Sequence, residues 1–363
     1  MFYLLLIFTI IYLLFSIFVI SGLFRHNVLP ISNSKALPFV SVIIAARNEE
    51  NNLPLLIDDL INQEYPLGKF EVIVINDRSN DSTQSILDKA SENYSFIKSI
   101  KIDEKSKGMT PKKHAIDMGI KDSAGEIILA TDADCRVGSL WVASMTYSLI
   151  NKNGIIIGFS EIEDRKGTFF EKYQKIDFLA IITANAGAAG WNHYWSGTGQ
   201  NLAYYKKDYL EIGGFEPVKD KISGDDMYLV QAISRLKKGF VHIDPNSHVK
   251  TNAMKSLKDF INQRIRWSSN SKSNFKNTPV FFIFLIVSFF ENLFILFSII
   301  ILKKGFLIWG IKITVDGIII LFGSRLFEKY FDIKTYLFWA ILQPFYIPFI
   351  GTLGLFNKFS WKK

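Results

Sequence analysis

Four short clusters in this chain carry side chains able to handle a charged, phosphorylated substrate. The first is Asp132–Ala133–Asp134, two carboxylates spaced i,i+2 at the end of the apolar run GEIILATDAD. In extended backbone that spacing sends both side chains to one side. Two hard oxygen donors there suit Mg2+ or Mn2+, which keeps water and bridges to substrate phosphates. A solvated acidic turn is the plain alternative, and Asp77, closing a second apolar run FEVIVIND, weighs against it. The second cluster is Gly224–Asp225–Asp226, ahead of the amphipathic stretch MYLVQAISRL. Capping a helix needs only one of the two carboxylates, which leaves the other available as a general base. The third is Gln263, Arg266 and Trp267 within SLKDFINQRIRWSSN, three residues that share one face of a helix. Arginine offers a planar fork for phosphate oxygens, and tryptophan an apolar platform for a sugar ring. The same stretch also reads as a basic amphipathic helix lying on a membrane, and one helix can do both. The fourth, Ser196–Asn201, is a glycine-containing loop that permits close backbone approach but lacks P-loop spacing. Lys112, Lys113 and His114 stand at a helix start before the Asp132 run, placed either to meet a phosphate or to form a solvated face.

These clusters need elements to position them. Phe39–Ala46 is a short β-branched apolar run that reads as a buried parallel strand, followed by a helix opening over Asn48–Asn52. FEVIVIND reads as a second strand, Ser79–Thr83 as the opening of a second helix, and GEIILATDAD as a third strand. Alternating strands and helices predict a doubly wound parallel sheet, whose ligands bind at the carboxyl ends of the strands. Arg47–Asn48–Glu49, Asn76–Asp77 and Asp132–Asp134 stand at three such ends.

The rest of the chain is apolar in blocks. Of 363 residues, 49% are hydrophobic and 21% charged, which excludes a disordered chain. The formal net charge of +8 suggests a negatively charged partner. With no long Lys/Arg stretch, nucleic acid is not expected. The single Cys135 forbids an intrachain disulfide and fits a reducing compartment. Residues 1–24 are uncharged and long enough to cross a bilayer; without a basic start or a small-x-small cleavage site they read as an anchor rather than a signal peptide. Arg25 and His26 place the downstream side in the cytoplasm. Three more apolar runs follow: Phe281–Leu302 with Glu291, Phe306–Phe322 with Lys312 and Asp316 placed to pair, and Tyr336–Phe356 with two prolines that kink it or mark a re-entrant segment. Lys303, Lys304, Lys358, Lys362 and Lys363 fall on the outer side if all four runs cross, so three or four spans are expected.

The ordered set SVIIAARNEE, VIVINDRSNDST, KKHAIDMGI, IILATDADC, GTGQNLAYYKKDYLEIGGF, GDDMYLVQ and QRIRW resembles a membrane-bound family 2 glycosyltransferase, from about Phe39 to Trp267. The resemblance implies an α/β GT-A fold, a Rossmann-like mixed sheet flanked by transmembrane helices. It divides the chain into an anchor (1–24), a cytoplasmic transferase domain (37–277) and a C-terminal membrane region (278–363). It implies that Ala46, Arg47, Glu49, Asp77, Asp132, Gln263, Arg266 and Trp267 bind the nucleotide-sugar donor, expected to be a UDP-sugar; Lys113, from its place at a helix start, is counted with them as a phosphate contact. Asp132 and Asp134 would hold Mg2+ or Mn2+, and Asp226, with Asp225 beside it, would be the catalytic base of an inverting transfer. Where the family often has two aspartates, this chain has Asn76–Asp77. The implied acceptor is a lipid, lipid-linked sugar or glycan at the inner face of the plasma membrane. A nucleotidyltransferase would share the metal and the diphosphate donor, but QxxRW and the late GDD weigh against it. A degenerate, non-catalytic membrane protein is opposed by the intact Asp132, Asp134 and Asp226.

Overall fold

The computed structural model describes residues 2–28, 37–301 and 305–356. In chain order the strands are β1 (Val40–Ala46), β2 (Phe70–Asp77), β3 (Ile97–Ile102), β4 (Ile127–Ala130), β5 (Cys135–Val137), β6 (Ile155–Gly158), β7 (Ser160–Glu163), β8 (Leu202–Tyr205), β9 (Gly239–His242) and β10 (Val249–Asn252). The helices are α1 (Phe2–Leu23), α2 (Leu53–Ile61), α3 (Thr83–Asn93), α4 (Pro111–Asp122), α5 (Trp141–Lys152), α6 (Phe169–Gly190), α7 (Lys206–Glu211), α8 (Asp225–Leu236), α9 (Leu257–Ser268), α10 (Ser271–Asn277), α11 (Pro279–Ile300), α12 (Phe306–Leu326) and α13 (Ile333–Leu355). They form two compact units that interleave along the sequence. One holds His26–Glu161 and Ser196–Asn252; the other holds the residues up to Arg25, Ile162–Trp195 and those from Ala253 onward.

The first unit is built on a seven-stranded sheet of order β3-β2-β1-β4-β8-β6-β9. β1 runs parallel to both β2 and β4, and β2 parallel to β3, while β8 lies antiparallel between β4 and β6. The sheet is therefore mixed, with a doubly wound parallel half. β1 and β2 are buried along almost their whole length, which is why they read as continuous apolar runs instead of alternating ones. Helix α4 lies close on this half: a Cβ at Gly119 would meet Ile75 Cδ1 at 2.5 Å. Val42, Ile44, Val72, Val74, Leu129 and Trp141 fill one core with Leu56 and Leu60 of α2.

Two features depart from the sequence reading. β4 stops at Ala130, so Asp132 and Asp134 do not lie in extended backbone; the Cys135 amide donates to the Asp132 carbonyl at 3.1 Å and closes a turn around them. β3 and β5–β10 are not among the three strands expected from the sequence; in β3, IKSIKI sets Lys98, Ser99 and Lys101 between its isoleucines, as suits an edge strand.

In the second unit α1, α11, α12 and α13 are each long and apolar enough to cross a membrane. α1 lies against α11 in opposite direction, Leu5 meeting Ile295 and Phe15 meeting Phe284. It runs with α12, Leu5 meeting Ile308 and Phe24 meeting Phe322. The ionisable groups midway along these helices, Glu291, Lys312 and Asp316, are buried against protein, as their cost in lipid requires, while Arg325 and Lys334 near helix ends are exposed. Lys312 pairs with Asp316 at 2.5 Å, and the Tyr12 hydroxyl donates to Asp316 at 2.5 Å. The Glu291 carboxylate sits 3.0 and 3.1 Å from the Thr9 hydroxyl. Arg25 stacks on Trp191 at 4.1 Å. Pro344 and Pro348 lie inside α13 without ending it. The lysines at 303, 304, 358, 362 and 363 lie outside the described residues.

α6 packs backbone against backbone on α1. A Cβ on Gly22 would stand 1.8 Å from the Gly187 carbonyl oxygen, and one on Gly190 2.1 Å from that of Gly22. Only glycine allows that approach, the small-residue packing typical of membrane helices. Residues 162–195 and 253–277, which the sequence reading places inside the globular stretch, thus belong to the unit that carries the apolar helices.

Candidate functional site

In the first unit, the loops after β1 and β2 are stitched together at the carboxyl end of the sheet. Asn48 and Arg78 both adopt left-handed backbone, at φ +57° and +54°. The Asn48 amide donates to the Ser79 hydroxyl at 2.9 Å, and the Asn80 amide to Asn48 Oδ1 at 2.8 Å. The Glu49 amide donates to Thr83 Oγ1 at 2.9 Å. This fixed ledge presents Asp77, whose carboxylate receives both arms of Arg78 at 2.8 and 3.1 Å and lies 3.8 Å from Arg47. Asn76 is turned into structure instead, donating to Gln84 at 2.7 Å and accepting from the Ser79 amide. Ala46 is buried and offers backbone alone, and Glu49 accepts from the Asn52 side chain at 2.8 Å.

A second group gathers residues far apart in sequence. Lys112, on the first turn of α4, places Nζ 2.7 Å from Asp132 Oδ1. Asp226 sits in the first turn of α8, after Gly224 at φ +84° serves as N-cap. Neither aspartate is the cap itself. The Met227 amide donates to Asp226 Oδ1 at 2.7 Å and the Gly199 amide to Oδ2 at 3.2 Å. Gly199 joins the two halves: a Cβ there would lie 3.7 Å from Asp226 Cβ and 3.9 Å from Lys112 Nζ. Burial and then the neighbouring Asp225 push the Asp226 carboxyl up to about 6, against the two amides and Lys112, which favour its ionised form. Burial opposes the charge on Lys112, but Asp132 and Asp225 outweigh it and hold the ammonium above the usual lysine value.

Lys113 does not share this position. It is 1% exposed, and its ammonium donates to the Lys221 carbonyl. Burial lowers its pKa. The lysine that meets the acidic group is Lys112, its neighbour on the helix.

Among the described residues no three His, Cys, Asp or Glu side chains converge on one point. Asp132 and Asp134 are nonetheless the right donor set for Mg2+ or Mn2+. Both are half-buried carboxylates in one turn, and a cation that completes its shell with water and diphosphate oxygens needs only one or two.

Gln263, Arg266 and Trp267 lie on one face of α9, in the second unit, where Ser256 caps the helix by accepting from the Asp259 amide at 3.1 Å. Trp195, just before the Ser196–Asn201 loop, is packed into the apolar helices. It is 1% exposed and stacked at 4.9 Å on both Phe281 and Phe284, because a tryptophan beside an apolar helix is drawn into its packing. Sequence reasoning missed Arg78 and, although it singled out the Ser196–Asn201 loop for close backbone approach, did not foresee that the Gly199 amide meets Asp226. Adjacency to Asp77 was a signal for the first; nothing local marked the partner of the second.

The profile of the family described as "Glycosyl transferase family 2" matches residues 41–223, half of the chain. The chain is 28% identical over 271 residues to "Probable glycosyltransferase YdaM" of Bacillus subtilis, covering 72% of this chain but only 63% of that protein. It is 26% identical over 305 residues to a Methanococcus voltae "Dolichyl N-acetyl-alpha-D-glucosaminyl phosphate 3-beta-D-2,3-diacetamido-2,3-dideoxy-beta-D-glucuronosyltransferase", covering 79% of this chain and 89% of that one. Among solved structures, the mannosyltransferase PcManGT of Pyrobaculum calidifontis, in complex with GDP-Man and Mn2+, superposes with a TM-score of 0.65 at 18% identity over 98% of both chains. That likeness establishes a shared fold, the GT-A mixed sheet.

Proposed function

The chain belongs to glycosyl transferase family 2, and from that premise we propose that it transfers a sugar from a nucleotide-sugar, most simply a UDP-sugar, to a lipid, lipid-linked sugar or glycan. The observation that carries this reading is the convergence of Lys112, Asp132, Gly199 and Asp226. It joins a diphosphate-binding carboxylate to a carboxylate poised as a base.

In this reading the ledge of Arg47, Glu49 and Asp77 receives the nucleoside. Asp132 and Asp134 would hold Mg2+ or Mn2+, which when bound neutralises charge on the departing diphosphate. Lys112 adds a positive charge beside Asp132, and in the other unit Arg266 carries a planar fork of the kind that suits phosphate oxygens. Asp226 accepts the proton of the acceptor hydroxyl. A carboxyl raised to about 6 is ionised at neutral pH yet basic enough to accept it. The amides of Met227 and Gly199 fix both its oxygens. The hydroxyl oxygen attacks the anomeric carbon from the face opposite the leaving diphosphate, so configuration inverts. One base suffices, without the covalent intermediate of a two-carboxylate retaining site. Asp225 tunes Asp226 by its charge.

A membrane acceptor is supported by the unit that carries Gln263, Arg266 and Trp267 together with four apolar helices, and by the dolichyl phosphate in the name of the Methanococcus voltae relative. The catalytic residues would then face the cytoplasmic side of the plasma membrane. The test is a panel of UDP- and GDP-sugars offered to membranes containing the protein, with Mn2+ or Mg2+. Nucleoside diphosphate release with one donor, lost in Asp226→Asn, is expected; equal release by that variant overturns the reading.

A further inference from the structure

We infer that Arg264 is a positioning residue for the Gln-x-x-Arg-Trp helix: anchored on Asp177, it holds Gln263 and Trp267 in place. The inference rests on the reading that this helix takes part in transfer. Arg264 stands between two residues of the motif yet points away from solvent, only 3% exposed. Its Nε donates to Asp177 Oδ2 at 2.7 Å. The same carboxylate accepts from Trp339 Nε1 at 3.0 Å and from the Tyr346 hydroxyl at 3.4 Å. Asp177 of α6 therefore ties α9 to α13 through one buried anion.

The free arm of the guanidinium turns back to the motif. Nη1 donates to Gln263 Oε1, and the guanidinium carbon lies 4.2 Å from the Trp267 ring centroid. Phe260 covers it at 4.5 Å. Trp267 meets Phe178, the residue after Asp177, at 5.9 Å. One cation thus fixes two motif side chains, by a hydrogen bond and by its stacked plane. An ion pair serving stability alone needs neither.

Lysine separates these roles, since it keeps the charge for Asp177 but has no planar fork or stacking face. The experiment measures kcat and KM for donor and acceptor, with thermal stability in detergent, for Arg264→Lys, Trp267→Ala and the double variant of the full chain. Arg264→Lys is expected to keep a near-normal melting temperature and donor KM while kcat falls ~10- to 100-fold, the scale of a misplaced reacting group. In the Trp267→Ala background the same change should cost no more than about threefold, the coupling expected of residues acting as a unit. Where lysine fails to fold, Arg264→Gln combined with Asp177→Asn, a neutral hydrogen-bonded pair, takes its place with the same expectation. Wild-type kcat in the Arg264 variant beside a slow Trp267→Ala overturns the inference alone, as do losses that simply multiply. Full activity in Trp267→Ala removes the motif reading, and the inference with it.

Discussion

Asp226 should set the acid limb of the pH profile. Burial and Asp225 raise its carboxyl to about 6, so the ionised fraction, and kcat/KM with it, falls as pH drops through that value. At pH 5 about one molecule in ten retains the base and at pH 4 about one in a hundred, so the profile loses about tenfold per pH unit below 6. Replacing Asp226 with asparagine keeps the shape but cannot accept a proton, and transfer should fall at least ~10²-fold, the lower end of general-base catalysis. The fold should tolerate this. A carboxyl whose pKa is raised on folding is one whose ionised form the fold disfavours, a penalty present above pH 6 and relieved as pH falls toward the unfolded value. Asp226→Asn relieves that penalty but gives up one of the two accepted amide bonds, so at pH 7.5 it should still melt close to the wild type. The assay is nucleoside diphosphate release between pH 4.5 and 8.5, with circular dichroism of both proteins. An unchanged acid limb in Asp226→Asn, or a profile flat down to pH 5, refutes the assignment. If Asp225→Asn is inactive and Asp226→Asn active, the base is one residue earlier.

Removing Lys112 as Lys112→Met takes away a positive charge that lowers the Asp226 pKa, so the acid limb should move to higher pH; movement to lower pH contradicts the cluster. Asp134→Asn and EDTA should each abolish transfer without altering the circular dichroism spectrum, and Mn2+ should restore the EDTA-treated protein; undiminished turnover in EDTA removes the metal reading of Asp132 and Asp134. Asn201 accepts from Trp141 Nε1 at 3.0 Å and donates to the carbonyls of Phe159 and Ser247, both at 2.8 Å. Asn201→Ala takes this partner from Trp141 Nε1 and the Ser247 carbonyl, while the Phe159 carbonyl keeps the Val249 amide at 3.0 Å, and should cost at least about 2 kcal/mol, read as a lower melting temperature.

The parallel half of the sheet was legible because β1 and β2 are buried on both faces, so their side chains are mostly apolar, with Ser41 and Glu71 paired to each other inside. The strand ends were legible in type and less so in position. Asp132 and Asp134 were found as a pair, but nothing in the sequence marks that β4 ends at Ala130 and a turn begins. The helix carrying Gln263, Arg266 and Trp267 was readable from its face pattern, whereas Arg264 looked like one more charge on a basic helix. Its partner Asp177 is 87 residues away, and only tertiary packing brings them together. For the same reason a cut after Asn277 does not isolate a domain. α6 and α9 pack on α13 through Asp177, and Trp195 rests on Phe281 and Phe284, so such a fragment would expose this packing to water.

The central claim is that this chain moves a sugar onto a membrane acceptor, with Asp226 taking the proton. The most direct test supplies the purified full-length protein with the donor selected from the panel, Mn2+ and the lipid extract of its host, and follows the lipid fraction by mass spectrometry. A lipid heavier by one sugar residue, formed in step with nucleoside diphosphate release and absent with Asp226→Asn, is the predicted result. Donor consumption that leaves every lipid and glycan unchanged, or the same glycolipid made by Asp226→Asn, would contradict it.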